Sequence, residues 1–376
     1  MRALKEVSDI RIVFLKSLDL RHPEAGGAEI YVHEIAKRLA LKGDEVIILS
    51  SRHPSLPAEE IVDSVKILRR GGRYSANLLI PLYYLRELHK KADVVVDEYT
   101  TAPFMTPAYA GEKAILLVHL LAGERIKYEV PRSIAWLSPL LRALEPKVLR
   151  VYRRTRVIAV SESTASELRA IGINRIRIVE PGIDPDKYRN GPKAPEPLVL
   201  YFGRIVPYKG VIEAIKAFSL IRREVKDAKM VVAGKCRDRA FLLELKNLAL
   251  DLGIKDGLSF LPNVSEERKV ELLAKSWILL LPSLKEGFNI VCLEAAASAV
   301  PIVGYNVPGM RDAVKIGVTG LLVSKGDVKG LADAAISILS DPRTLEVMRR
   351  QSREWALNFT WDRAAEKFRR LLLEEW

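Results

Sequence analysis

Residues 198–210 read LVLYFGRIVPYKG. Five apolar residues come first, then a glycine, then a loop holding two cations, Arg204 and Lys209, just before a helical pattern. A short apolar run closed by glycine and followed by an amphipathic helix opens a β–α unit with a buried strand. The flanks decide how many such units there are. Immediately upstream, PGIDPDKYRNGPKAPEP (181–197) carries five prolines and two glycines and reads as an interdomain linker. Residues 198–210 therefore start a second domain.

Both sides of the linker repeat the same alternation. Downstream, KMVVAG (229–234), LSFL (258–261), WILLL (277–281), PIVGY (301–305) and GLLV (320–323) read as strands, with helices between them. Upstream, IRIVFL (10–15), EVIILS (45–50), VKIL (65–68), DVVVD (93–97), AILLVH (114–119), RVIAV (156–160) and RIRIV (175–179) do likewise. Continuously apolar strands alternating with helices imply parallel sheets covered on both faces. The expected architecture is α/β, two doubly wound Rossmann-like domains facing each other across a cleft. The first spans 1–183 and the second 184–360. A last helix, 361–376, with Trp361, Ala364, Phe368 and Leu372 on one face, is expected to return to the first domain.

Composition narrows the function. At 376 residues the chain exceeds one comfortable core. The N-terminal MRALKEVSDIRIVFL lacks the apolar stretch of a signal peptide, and no run is long enough to span a bilayer, so a cytoplasmic protein is expected. Cys236 and Cys292 have no metal-type spacing and read as core residues. A single glutamine among abundant Lys, Arg and Glu suits a thermophile. The net charge of +13 favours anionic partners. No basic motif interleaved with aromatics points to nucleic acid, which leaves a nucleotide ligand or an acidic membrane.

Candidate site residues lie at strand ends. GGAE (26–29) precedes a helix, where Gly26 and Gly27 let backbone approach a ligand and the helix N-terminus offers free amides. The dinucleotide fingerprint G-x-G-x-x-G is absent, which counts against a dehydrogenase. Arg204 and Lys209 suit a diphosphate, or are merely two solvated cations. In EGFNIVCLE (286–294) two glutamates bracket an apolar turn, and a helix is expected to start near Phe288. Glu286 can accept from sugar hydroxyls and Glu294 from a ribose diol; the bland alternative is a helix-dipole carboxylate plus a buried ion pair. Asp184-Pro-Asp186 spells a metal-binding D-x-D, but Asp before Pro reads as a turn, and no metal site is expected.

Together, GGAE, GRIVPYKG, EGFNIVCLEAAASAVPIV, GVTGLLV and EPGIDPDKY (180–188) resemble glycosyltransferase family 4, the retaining nucleotide-sugar transferases of GT-B fold. The resemblance covers nearly the whole chain and is most specific in its second half. It implies that Glu286 contacts the donor sugar and Glu294 the ribose. Arg204 and Lys209 would hold the diphosphate, with Gly27 approaching it. Phe288, Asn289 and Ile290 join the donor-binding set, and base contacts fall around Lys235 and Asn263. His119, ending a strand, matches a histidine near the reacting centre, although Leu120 follows it where many members have aspartate. A strand-end histidine is otherwise often just hydrogen-bonded in place. The activity implied is metal-independent transfer from a UDP- or GDP-sugar to an acceptor hydroxyl, with no cofactor. A nucleotide-sugar epimerase, a phosphorylase of the same fold or a non-catalytic nucleotide-sugar binding protein stay open as alternatives. Residues 132–156 hold seven Arg or Lys against one acid, beside Trp136 and several leucines. That pattern suits peripheral contact with an anionic membrane and a lipid or lipid-linked acceptor, or else an ordinary amphipathic helix with Pro139 and Pro146 as breaks.

Overall fold

The apolar runs become two parallel sheets in the computed structural model, which describes residues 9–72, 75–100, 102–126, 136–188 and 191–374. The chain divides into two units. Unit 1 is Met1–Gly182 with Trp361–Trp376, and unit 2 is Ile183–Thr360.

Among its described residues unit 1 has eight strands: β1 (Arg11–Leu15), β2 (Glu45–Ser50), β3 (Glu59–Val62), β4 (Val65–Arg69), β5 (Val94–Tyr99), β6 (Ala114–Val118), β7 (Arg156–Ala159) and β8 (Ile176–Ile178). Their order is β3-β4-β2-β1-β5-β6-β7-β8, all parallel except the β3–β4 pair. The run 59–62 has no apolar continuity, and it is a half-exposed edge strand that the sequence pattern did not reveal. Helices α1 (Gly27–Leu41), α2 (Ala76–Tyr83), α3 (Pro107–Ala110), α4 (Ser138–Leu149) and α5 (Glu162–Ala170) connect these strands. α2 carries Pro81 inside it and runs on into one π-helical turn, Tyr84–Leu88. Alternate side chains of the fully apolar strands serve two faces. Val13 and Leu15 of β1 pack with Ile80 and Tyr84 of the α2 segment.

Unit 2 begins with the proline-rich segment, which is more than a linker. Ile183 pairs with Thr360, Tyr188 is buried, and the Trp277 indole N–H donates to the Ala194 carbonyl at 2.9 Å. Six strands follow: β9 (Leu198–Phe202), β10 (Lys229–Gly234), β11 (Leu258–Pro262), β12 (Ile278–Leu281), β13 (Ile302–Tyr305) and β14 (Gly320–Val323). All are parallel, in the order β11-β10-β9-β12-β13-β14. The helices are α6 (Val211–Glu224), α7 (Arg239–Asp251), α8 (Glu266–Lys275), α9 (Ile290–Ala297), α10 (Met310–Ala313), α11 (Val328–Leu339) and α12 (Pro342–Ala356). α9 starts two residues later than the sequence suggested. Asn289 is its N-cap, with a side chain that accepts from the Val291 amide, so Phe288 belongs to the preceding loop.

The final helix, α13 (Trp361–Leu373), returns to unit 1 and packs on α1. Phe368 stacks on Phe14 with ring centroids 5.9 Å apart. The Arg369 guanidinium grips Asp44 through two hydrogen bonds of 2.7 and 2.9 Å.

Candidate functional site

In unit 2 the strand order reverses between β9 and β12. Helices then leave the sheet in opposite directions, and the strands' carboxyl ends open a crevice there. Two loops meet at this point, 203–210 after β9 and 282–289 after β12. The buried Tyr201 hydroxyl holds the first loop, donating to the Arg204 carbonyl at 3.1 Å and to the Lys209 carbonyl at 3.3 Å. Gly210 locks the two loops together. Its φ is +73°, and a Cβ there would overlap the Pro282 carbonyl. The Leu284 amide donates to the Tyr208 carbonyl at 3.0 Å.

This close approach brings Lys209 and Glu286 together. The Lys209 ammonium lies 2.6 and 2.7 Å from the two Glu286 oxygens, and the Asn289 amide nitrogen donates to the same carboxylate at 3.2 Å. Glu286 is buried and Lys209 mostly so. Gly309, at φ +79°, lets the neighbouring segment close over the backbone of Glu286. Arg204 projects outward, its guanidinium 5.5 Å from the centre of the Tyr208 ring. One exposed cation and one paired cation thus share the end of β9. Phe288 packs on Phe359 at 6.1 Å between centroids, beside half-buried Ile290.

Glu294 lies further along α9. Its Oε1 accepts from the Tyr188 hydroxyl at 2.6 Å and from the Lys269 ammonium at 2.7 Å. Lys269 also reaches Glu266 at 2.9 Å. Burial pulls the Lys269 pKa down, but Glu294 and Glu266 more than offset it and hold the ammonium protonated. The same burial and the Glu294 charge push the Tyr188 phenol up, so it stays a donor. Glu294 Oε2 is buried and has no hydrogen-bond partner among the described residues. A half-satisfied buried carboxylate is costly, so this oxygen is an acceptor without its donor.

At the ends of β10 and β11, Lys235 is exposed, whereas the Asn263 side chain is committed to the loop. It accepts from the Cys236 amide at 3.1 Å and donates to the Cys236 carbonyl at 3.3 Å. Asn263 therefore shapes a wall beside Lys235 more than it presents a free amide.

In unit 1, Gly26 caps α1 with extended backbone, and its amide donates to Glu29 at 2.7 Å. The Glu29 carboxylate thus lies across the helix start at Gly26, while Gly27 is exposed. His119 follows β6 and its Nε2 meets Glu98 Oε1 at 3.0 Å. Glu98 also pairs with Lys16 at 3.1 Å, and both of those side chains are fully buried. Burial raises the Glu98 pKa, yet the Lys16 charge and the His119 contacts bring it below the ordinary glutamate value. Tyr31 presents its ring to the imidazole at 5.2 Å. Lys16, Glu98, Tyr188, Tyr201 and Lys269 were not singled out in the sequence. The signal available was a charge inside an apolar strand, as in VVVDEY and IVFLK.

Among the described residues, no group of three His, Cys, Asp or Glu is placed to hold a metal ion. Nor is any helix long and apolar enough to cross a membrane.

Similarity to known proteins agrees with this geometry. Residues 183–355 match the family described as glycosyl transferases group 1, and residues 25–187 match glycosyltransferase family 4. A D-inositol 3-phosphate glycosyltransferase of Gordonia bronchialis is 30% identical over 381 residues, covering 90% of this chain and 82% of its own. Sucrose-phosphate synthase from Thermosynechococcus elongatus superimposes with a TM-score of 0.79 at 20% identity, over 96% of this chain and 98% of that one. The Anabaena protein HepE, solved with UDP and glucose, gives 0.75 at 17% identity, over 96% and 99%.

Proposed function

Since the chain belongs to the family 4 glycosyltransferases, with the GT-B pair of Rossmann-like domains, we propose that it moves a sugar from a nucleoside diphosphate to an acceptor hydroxyl with retention of anomeric configuration. The observation that carries this reading is the Lys209–Glu286–Asn289 cluster at the switch point of unit 2, with the open Glu294 oxygen further along the same helix. Glu294 Oε2 accepts from a ribose hydroxyl, and Glu286 orients the donor sugar. Arg204, Lys209 and the amides at the start of α9 stabilise the departing diphosphate, the electrostatic contribution that usually dominates such catalysis. The HepE complex with UDP and glucose supports a nucleoside diphosphate as the leaving group, and UDP and GDP are the candidates we propose.

In the proposed step the bond from the anomeric carbon to the diphosphate oxygen breaks. A bond to the acceptor oxygen forms on the same face, and the acceptor proton passes to the leaving phosphate. Family resemblance is what assigns Gly27 to the diphosphate and His119 to the reacting chemistry. The cations supply the positive charge, so no metal is required: transfer is expected to survive EDTA, and stable loss restored by magnesium would overturn that point. The acceptor is taken to be a lipid or lipid-linked glycan.

Thermal unfolding against a panel of nucleotide sugars identifies the donor, because a ligand at a hundred times its Kd stabilises by about 2.7 kcal/mol. NMR of the product then tests the chemistry. Turnover without an acceptor means an epimerase, release of sugar phosphate means a phosphorylase, and binding without turnover means a carrier.

A further inference from the structure

Two helices of unit 1 turn apolar faces outward. The α2 segment buries Ala76, Ile80, Tyr84 and Leu88 on one side. On the other, Leu78, Leu79, Leu82 and Leu85 are 41–65% exposed. α4 buries even less: Leu149 is its one buried residue, while Leu140, Leu141, Leu144 and Val148 are 37–54% exposed. Trp136, just before it, is 75% exposed. Scattered exposed leucines are ordinary, but two whole stripes of them are not.

Both stripes lie on one face of the sheet. α2 packs with Val13, Leu15 and Val95, and the end of α4 packs with Leu116 and Val118. The register Val95↔Ala114, Asp97↔Leu116 and Tyr99↔Val118 puts those strand residues on the same side.

Charge says what covers this face. The single acid of α4, Glu145, is turned inward, where it accepts from the Tyr99 hydroxyl and the Ala122 amide, both at 2.6 Å, and from the Gly123 amide at 2.9 Å. What remains outside is cationic: Arg142, Lys147, Arg150, Arg153 and Arg154 are exposed on or just after α4. Arg86, Lys90 and Lys91 are exposed at the end of the α2 segment, against the acids Glu87 and Asp93. A second copy of the chain laid on this face by a two-fold axis would set arginine against arginine, which is repulsive. Leucines and tryptophan rimmed by cations instead complement a surface that is apolar within and anionic at its boundary.

We propose that this face of unit 1 docks on an anionic lipid bilayer, with α2 and α4 both seating their leucines at the acyl boundary. The docking does not rest on the transfer chemistry. Residues 132–135 of the basic stretch lie outside the described residues and are not needed for it.

Vesicle flotation tests it, with equimolar phosphatidylglycerol and phosphatidylcholine against phosphatidylcholine alone. The protein is expected to float with the anionic vesicles only. The pair Leu78→Ser and Leu82→Ser should bind at least about tenfold more weakly. The pair Arg153→Glu and Arg154→Glu should lose binding by at least about twentyfold. Arg150 is left in place because it holds the Ile171 carbonyl at 3.1 Å. Thermal unfolding must show both variants folded, and transfer to a water-soluble acceptor is followed in parallel and should persist. Failure of the unaltered protein to float, or flotation indifferent to the leucines, overturns the docking. So does a stable dimer that the leucine variant splits, because a second copy would then cover the face. Loss of transfer with flotation intact would instead count against the function proposed above.

Discussion

Lys209 cannot be changed without stranding Glu286, whereas the Arg204 side chain is exposed, its guanidinium over the face of the Tyr208 ring. Arg204→Ala should therefore leave stability within about 0.5 kcal/mol while turnover falls roughly 10²–10³-fold. Glu286→Gln should lose turnover similarly, because the carboxylate that orients Lys209 and Asn289 is gone. Steady-state transfer at saturating donor, on variants folded by circular dichroism, checks both; near-normal rates would sink the assignment. Lys16, Glu98 and His119 make a second test in unit 1. Glu98→Gln leaves a fully buried ammonium uncompensated, which typically costs about 3–5 kcal/mol. The Glu98 pKa is lowered in the folded chain from 4.5. Its contribution is therefore present above about pH 4.5 and lost as pH falls through the depressed value. Urea unfolding at a series of pH values should show the two proteins converging on acidification, and a gap constant down to pH 2 would contradict this. Glu286 and Glu294 stood out in the sequence because carboxylates around an apolar turn are costly without a reason, and Arg204 and Lys209 because they follow the first strand of the second domain. Tyr188, the partner of Glu294, did not, nor did the Lys16–Glu98 pair of unit 1, since Lys16 and Glu98 are 82 positions apart and Tyr188 and Glu294 are 106. Only folding brings such pairs together.

Elements were legible where burial makes a strand apolar throughout, as in β1, β6 and β12, each flanked by glycine, proline or charge. β3 was hidden because an edge strand needs only one apolar side. α2 was hidden because ANLLIPLY is apolar all round and contains proline, so no helical period shows. α12 was passed over for the opposite reason: PRTLEVMRRQSREWA is mostly polar, with Leu345, Met348, Ser352 and Ala356 on its buried side. The start of α9 was displaced because Asn289 caps the helix, a role that any loop asparagine can fill. The junction of β9 and β12 offers a test at this scale. Gly210→Ala would place a methyl group against the Pro282 carbonyl and force a left-handed backbone on alanine. The expected cost exceeds about 2 kcal/mol in stability. Because the change parts the loops holding Lys209 and Glu286, it should also weaken donor binding at least tenfold. Denaturant unfolding and donor titration read the two effects separately. An unperturbed midpoint would mean that the loops are not joined as described.

At the scale of the whole chain, the sequence after unit 2 completes unit 1. α13 buries Trp361, Ala364, Ala365, Phe368, Leu371 and Leu372, and its Asp362 and Arg369 pair with Arg38 and Asp44. Each large apolar side chain fully buried is worth about 1.5–3 kcal/mol. Four such residues together amount to roughly 10 kcal/mol before entropy, comparable with the entire stability of a typical domain. Unit 1 without α13 would expose Phe14 and its neighbours on the α1 face of the sheet. Unit 2, by contrast, draws its cluster from 183–359, within its own bounds, and is sealed by the Ile183–Thr360 pairing. A chain ending at Thr360 should therefore lose cooperative unfolding of unit 1 while unit 2 keeps its own transition. The segment 183–360 made by itself should fold. It should also be stabilised by UDP or GDP, if the donor reading is right, because the residues proposed to bind the nucleotide are chiefly in this unit. Calorimetry of the three proteins decides it. One unchanged transition in the truncated chain would show that α13 merely rests on unit 1, and an unfolded 183–360 would show that unit 2 depends on the rest of the chain.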